Sequence, residues 1–416
     1  MVDESASKLN RIRSRYARMN KMTFRTRDDV TMSGDARFVS AGAGSPSVAL
    51  RRLGRAGPKP GELELLRAAT LDLEGASAAW RRWISGNVID VAHRRSTDLL
   101  PAVAANLPSE VLGSETDRLR GMRRRVWAGN ELRFGALSSA VDLLEAIGIE
   151  PVLAKGAALA TTVYPKPGTR VMADVDLVIG PELLDEAVGA LLGSGWTRVD
   201  PVEGPFFHAV AVADPRGQGV DVHRWVMFPR FTPVPERSWL ERAVPHEVGG
   251  RSLRRLAGSD ELILAVLHGL LTNSDSASRW PIDVAKLVVA SQGNDAFWLE
   301  VVVSADELRV GPVVADGLAM CAEELGVPVP DIALESLRAG PLDSGLRQHW
   351  ALCRRGLTPE WRIRRYARMA RFEDRQPTVL GYVGPRWRAI RTRGVGPIFG
   401  GRIERARQIV DDRIRS

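Results

Sequence analysis

Residues 153–180 read LAKGAALATTVYPKPGTRVMADVDLVIG, and the fold of the chain turns on how they are read. Upstream, apolar residues recur at three- and four-residue spacing, the mark of amphipathic helices; here that spacing stops. IEPVLA, residues 149–154, is an apolar run of strand length. KGAALATTVY is a short helix that begins where the strand ends, Lys166-Pro167-Gly168 turns the chain, and MADVDLVIG returns as a second strand. Successive side chains of a strand point to opposite faces, so Asp174 and Asp176 project together while Val175, Leu177 and Ile179 face an apolar layer. Two carboxylates held side by side repel unless a cation lies between them, and Mg²⁺ takes a few carboxylate oxygens and completes its shell with waters and phosphates. The competing reading is a solvated edge strand bearing two surface acids.

Three neighbours favour the cation. Lys155-Gly156 falls at a strand-to-helix junction, where unpaired backbone N–H groups and the helix dipole attract a phosphate, glycine admits it closely and lysine adds charge. Arg170, a few residues before Asp174, is expected to reach the same anion. GVDVHRW, residues 219–225, puts Asp221 on a later strand, with Val220 and Val222 toward the core and His223 on the same face as Asp221. A strand with two acids beside a strand with a third can hold two metal ions about 4 Å apart, one activating a hydroxyl and one stabilising a leaving pyrophosphate.

Outward from this centre, PELLDEAVGALLGSG reads as a helix opened by Pro181 and closed by Gly193 or Gly195. WTRVD is a short strand, and FFHAVAVA and GVDVHRWVM form a hairpin joined by DPRGQG. The expected class is α+β, with a small mixed-sheet core over residues 149–245. Helical regions flank it over 60–148 and 246–416, the second ending in basic segments. Residues 1–59, rich in Ser, Gly, Pro and Arg, are expected to be mostly disordered, with a short basic helix at 8–21. Ser259 is the expected N-cap of the helix that follows the core.

The 416 residues are 44% hydrophobic and 26% charged, with a formal net charge of +8. No apolar run approaches the roughly 18 residues that cross a bilayer, and the start lacks a signal-peptide segment, so a cytoplasmic protein with no membrane span is expected. Cys321 and Cys353 form no CxxC or Cys/His cluster, which speaks against structural zinc and for core positions. The excess charge is mostly arginine, spread along the chain and heaviest at its ends. Solvated helix faces explain it more simply than a nucleic-acid surface, so a nucleic-acid partner is not favoured.

The succession of strand, glycine-containing phosphate turn, helix, DxD strand and third aspartate on a later strand resembles the nucleotidyltransferase superfamily related to DNA polymerase beta. More closely, LAKGAAL, YPKPGTRVMADVDLVI, VDVHRW, LHGLL and SRWPIDVAKL are similar to a bacterial family of uncharacterised nucleotidyltransferases, over about residues 60–300. The resemblance implies that Asp174, Asp176 and Asp221 bind Mg²⁺ or Mn²⁺, with Asp221 also able to act as base. It implies that Lys155, Gly156 and Arg170 hold the phosphates of a nucleoside triphosphate co-substrate. The superfamily's usual phosphate turn is Gly-Ser, where this chain has Lys155-Gly156. The implied reaction is attack of an acceptor hydroxyl or phosphate on the α-phosphorus with release of pyrophosphate, catalysed mainly by positioning and charge neutralisation. The acceptor class left open is a small molecule, a peptide or a glycan intermediate.

Other residues have plainer readings. His223 is either a partner of the third carboxylate or a substrate contact, or else a strand histidine bonded to a backbone carbonyl, and His208 reads as structural. His268, Arg279, Trp280 and Asp283 lie in the helical region, where Arg279 and Asp283 can pair at i,i+4 if the helix runs through Pro281. A His/Asp phosphohydrolase site would need an adjacent His-Asp pair and further histidines, and the chain has six in all, so packing or nucleotide-facing roles are expected. Tryptophans such as Trp80, Trp83, Trp225, Trp280 and Trp361 read as core or groove lining, each able to stack on a base. Two other functions compete. A DxD glycosyltransferase using a nucleotide-sugar predicts a larger doubly wound sheet before the DxD. A non-catalytic nucleotide- or polyanion-binding module would use the basic helices.

Overall fold

The computed structural model describes residues 47–199, 208–227, 236–272, 279–291 and 294–356. At its centre, β1 (Val152–Ala154) and β2 (Val175–Val178) run antiparallel and are buried at every residue, which is why neither shows the alternation of a half-solvated strand. The other strands are β3 (Thr197–Arg198), β4 (Ala209–Ala213), β5 (Gly219–His223), β6 (Val244–Val248) and β7 (Arg251–Arg255). They form one mixed seven-stranded sheet in the order β3-β4-β5-β2-β1-β7-β6. β5 pairs parallel with β2 and β7 parallel with β1. The β4–β5 pair is the expected hairpin.

Leaving single turns aside, the helices before the sheet are α1 (Val48–Leu53), α2 (Pro60–Thr70), α3 (Leu73–Ser85), α4 (Leu100–Asn106) and α5 (Thr116–Glu145). Within it lie α6 (Lys155–Thr162), α7 (Leu184–Gly193) and α8 (Glu236–Glu241). After it come α9 (Gly258–Leu267), α10 (Trp280–Ala290), α11 (Asp295–Glu307), α12 (Gly311–Leu325), α13 (Asp331–Arg338) and α14 (Ser344–Arg355). A π-helical turn, His268–Thr272, continues α9. Local chemistry sets several starts: Asp72, Asn294 and Asp343 side chains accept from first-turn N–H groups of α3, α11 and α14.

The sheet has two faces with different duties. Val175, Leu177 and Ile179 join Val220 and Val222 in a core against α5 and α7. Val152, Ala154 and Val178 point the other way, into a larger core built from α1–α4 and α9–α14 together. Asp176 and Asp221, directly opposite each other in the β2–β5 register, lie on this second face. The acids therefore face the helical body. Both cysteines are buried, as expected. Among the described residues no helix is long and apolar enough to cross a membrane.

Three expectations change. The segment expected to be disordered through residue 59 is helical from Val48, with Ala49 and Leu53 buried one turn apart. Its order comes from distant partners, since the N–H groups of Ser47 and Ala49 donate to Glu324 and Glu323 of α12. The helix expected at 8–21 and the basic segments after 356 lie outside the described residues. The sheet also continues past residue 245, because Gly249-Gly250, both at positive φ (60° and 76°), turn β6 into β7. Finally, α9 begins at Gly258 with Ala257 as its cap, and Ser259 is buried inside it with its hydroxyl donating to Glu300.

Leu53 is fully buried. Leu53→Ala should destabilise the protein by about 2–5 kcal/mol, read as a lower denaturant midpoint; a change near zero would detach α1 from the fold.

Candidate functional site

Between the acid-bearing face of the sheet and helices α9 and α10 lies a cavity of about 330 Å³, within the size range of small-ligand sites. Asp174, Asp176 and Asp221 all line it. Asp174 stands one residue before β2, Asp176 inside it, and Asp221 beside it on β5. Asp176 Oδ1 accepts from Lys155 Nζ at 2.5 Å and lies 2.7 Å from His223 Nε2. His223 Nδ1 is 3.3 Å from the Trp225 carbonyl. Donor atoms of Asp176, Asp221 and His223 come within 4.8 Å of one another, a cluster that can hold a metal ion. Asp174 is not a member of that cluster, so the trio brought together differs from the expected one by His223 in place of Asp174.

The electrostatics show a surplus of negative charge. Burial, then Asp176 and Asp174, push the Asp221 carboxyl up to about 7. Asp174 is raised by burial and by Asp176. Asp176 is the exception: burial alone would raise it, but the Lys155 ammonium and the bond from His223 hold it well below the usual range. Burial and the same ammonium depress His223, while burial, followed by neighbouring positive groups, takes His268 down to about 3 and His208 well below its usual value. Neutral imidazoles of this kind are competent as ligands or acceptors. Two carboxylates and an imidazole form a donor set that could bind a divalent metal ion.

The expected phosphate groups are engaged differently from the expectation. Lys155 begins α6 in the left-handed region at φ 54°, and its backbone N–H donates to Glu261 Oε1 at 2.8 Å. Its side chain turns to Asp176, not toward open solvent. Glu261 is raised by burial to about 8, and its Oε2 is buried with no hydrogen-bond partner among the described residues. Arg170 forms a fork with Asp283, Nε to Oδ1 at 2.8 Å and Nη2 to Oδ2 at 3.0 Å, while the Tyr164 hydroxyl donates to the same Oδ1 at 2.6 Å. The expected Arg279–Asp283 pair is not made. Arg279 caps α10 with helical dihedrals and its carbonyl accepts the Asp283 N–H, but the Asp283 carboxylate is taken by Arg170 and Tyr164, and the Arg279 side chain pairs with Asp98 at 3.2 Å.

His208, His268 and Trp280 line the cavity with the acids, and His208 packs edge-on against His223 at 5.1 Å. His208, read as structural, is thus a wall residue as well. Trp80 and Trp83 stack in the helical core, and Arg224 lies over Trp225 at 4.0 Å. Trp361 lies outside the described residues. Sequence reasoning missed Glu261, which looks like an ordinary first-turn helix acid, and the α5 side chains that hold the loop before β2. Asn130 donates to the Arg170 carbonyl at 2.9 Å and Arg133 to the Ala173 carbonyl at 3.0 Å. Nothing in a polar helix face announces such contacts.

Comparison with known proteins bears on this arrangement. The model of a family described as uncharacterised nucleotidyltransferase matches residues 88–326. Among solved structures the chain is similar to an antigenic nucleotidyltransferase-like protein from Paracoccidioides brasiliensis, with 16% identity and a TM-score of 0.29, over 51% of this chain and 94% of that one. No curated protein matches.

Glu261 gives a pH test. A carboxyl raised in the folded state favours folding while protonated, so its contribution is complete below about 4.5 and lost as pH rises through about 8. Glu261→Gln keeps the acceptor for Lys155 N–H and removes the titration. Melting temperature should fall with pH across this window more steeply in the wild type than in Glu261→Gln; parallel profiles would contradict the raised value.

Proposed function

The chain belongs to the family of uncharacterised nucleotidyltransferases, and from that premise we propose that it transfers a nucleoside monophosphate from a nucleoside triphosphate to an acceptor, releasing pyrophosphate. The observation that carries this reading is the parallel β2–β5 register, which sets Asp176 against Asp221 in a cavity also lined by Lys155, Arg170 and Arg279. Acids and cations meeting in one cavity suit a ligand of metal and phosphates.

Asp176 and Asp221, with Asp174 or His223 completing the set, would hold Mg²⁺ or Mn²⁺, which when bound neutralises charge on the phosphates. Asp221 is the group we assign to receive the acceptor's proton as its oxygen attacks the α-phosphorus. The bond from that phosphorus to the β-phosphate oxygen breaks, and pyrophosphate carries the electron pair away. Arg170, locked by Asp283 and Tyr164, is a rigid cation with little entropy left to lose on meeting a phosphate.

Gly156 supports the same reading. A Cβ there would meet Met172 Cγ at 3.4 Å and Arg170 Nη1 at 3.6 Å, ordinary contacts that the protein tolerates. Within a helix alanine is favoured over glycine by roughly 0.5–1 kcal/mol. A bare backbone at this point of the cavity wall would let a phosphate approach closely. The glycosyltransferase alternative wants a large doubly wound sheet before the DxD, whereas the described residues before β1 are helical.

Asp221→Asn should lower pyrophosphate release by about a hundredfold or more, given that even outer-shell changes at metal sites cost 10–100-fold. A triphosphate with Mg²⁺ should raise the wild-type melting temperature, and Gly156→Ala should keep its own melting temperature while losing most of that shift. Undiminished turnover in Asp221→Asn would refute the assignment; a persistent shift without turnover would favour a binding module.

A further inference from the structure

Lys155 stands where a cation would be expected. Its Nζ is 2.5 Å from Asp176 Oδ1 and 3.4 Å from His223 Nε2, two of the three groups able to share a metal ion. The side chain is 15% exposed. Its backbone is pinned at both levels, by the left-handed φ of 54° and by the N–H bond to Glu261 from α9. The four-carbon stem is not pinned, and an ammonium on such a stem can exchange partners by bond rotation alone.

Resting on the nucleotidyltransferase reading above, we propose that Lys155 is a built-in counter-ion: the divalent cation must displace its ammonium from Asp176, and the released ammonium passes to the triphosphate. A divalent ion bound to Asp176 lies about 2.0–2.6 Å from the carboxylate oxygen, inside the shell that Nζ now fills. Two cations that close repel strongly in a buried site. The displaced ammonium can turn to Asp174 or Asp221, which already feel its charge, and a triphosphate lying beside Arg170 and Arg279 would offer it a denser anion than either single carboxylate. Cation and nucleotide therefore assist one another's binding, and by linkage the assistance is equal in both directions. Without nucleotide, the cation binds weakly and Asp176 keeps the protein's own lysine as its counter-charge.

The test measures Mn²⁺ affinity by electron paramagnetic resonance on the full chain, without nucleotide. Lys155→Met should bind Mn²⁺ about tenfold or more tightly than the wild type, within the usual range of coupling between sites. Asp176→Asn should abolish that binding. Equal affinities in wild type and Lys155→Met, with loss in Asp176→Asn, would overturn the counter-ion and leave the metal site standing. No Mn²⁺ bound by either would overturn the metal site itself.

A second measurement needs no variant. Acylation of Lys155 in the wild type by an amine-reactive ester, quantified by mass spectrometry, should rise when Mn²⁺ is added and fall again when inorganic tripolyphosphate joins it. Labelling indifferent to Mn²⁺ would overturn the displacement, and labelling that stays high with tripolyphosphate would overturn the transfer.

Discussion

An ionised carboxylate as buried as that of Asp176, 6% exposed, is stable only if charge and hydrogen bonds surround it, and separate elements converge to supply them. The ammonium comes from the first residue of α6, the imidazole from the last residue of β5. Glu261 of α9 in turn fixes the backbone of Lys155. This chain of contacts ties the sheet to the helical body at the point where their surfaces would otherwise meet as two apolar layers.

A second set of contacts gives that cavity a fixed outline. The segment between α6 and β2 follows α5, bonded by Arg123 to the Pro167 carbonyl, by Asn130 to Arg170 and by Arg133 to Ala173. Spacings of seven and three residues put these side chains on one stripe of the helix. Gly168, at φ 71°, passes so close to α5 that a Cβ would meet the Arg123 carbonyl oxygen at 2.1 Å. KPG in the sequence is therefore a point of close approach as well as a turn. Asp174 and Arg170, at either end of the held stretch, inherit its rigidity.

How much of this could be read from the residues depends on the range of the interaction. Period changes and alternation are local, so the strand–helix–strand unit around Lys155, the β4–β5 hairpin and the side on which Asp176 and Asp221 stand were all legible. The pairing of Arg170 with Asp283 was not, because the partners are 113 residues apart and either could have found another mate. His223 stood one residue pattern away from recognition: on the same face as Asp221, it was placed correctly but its bond to Asp176 depends on the parallel register of two strands. The Gly249-Gly250 hairpin was legible and overlooked among polar neighbours. The order of α1 was not, since its six residues gain their stability from α12.

The single core shared by α1–α4 and α9–α14 has a consequence for the chain's birth. Arg67 on α2 finds its partner Glu324 on α12, 257 residues later. At synthesis rates of roughly 5–20 residues per second, the first helices leave the ribosome on the order of ten to fifty seconds before the surface that completes them exists. In that interval Leu65, Leu66 and Trp80 have no finished interior to enter. The interior that receives these side chains is complete only once the chain has been made through residue 353.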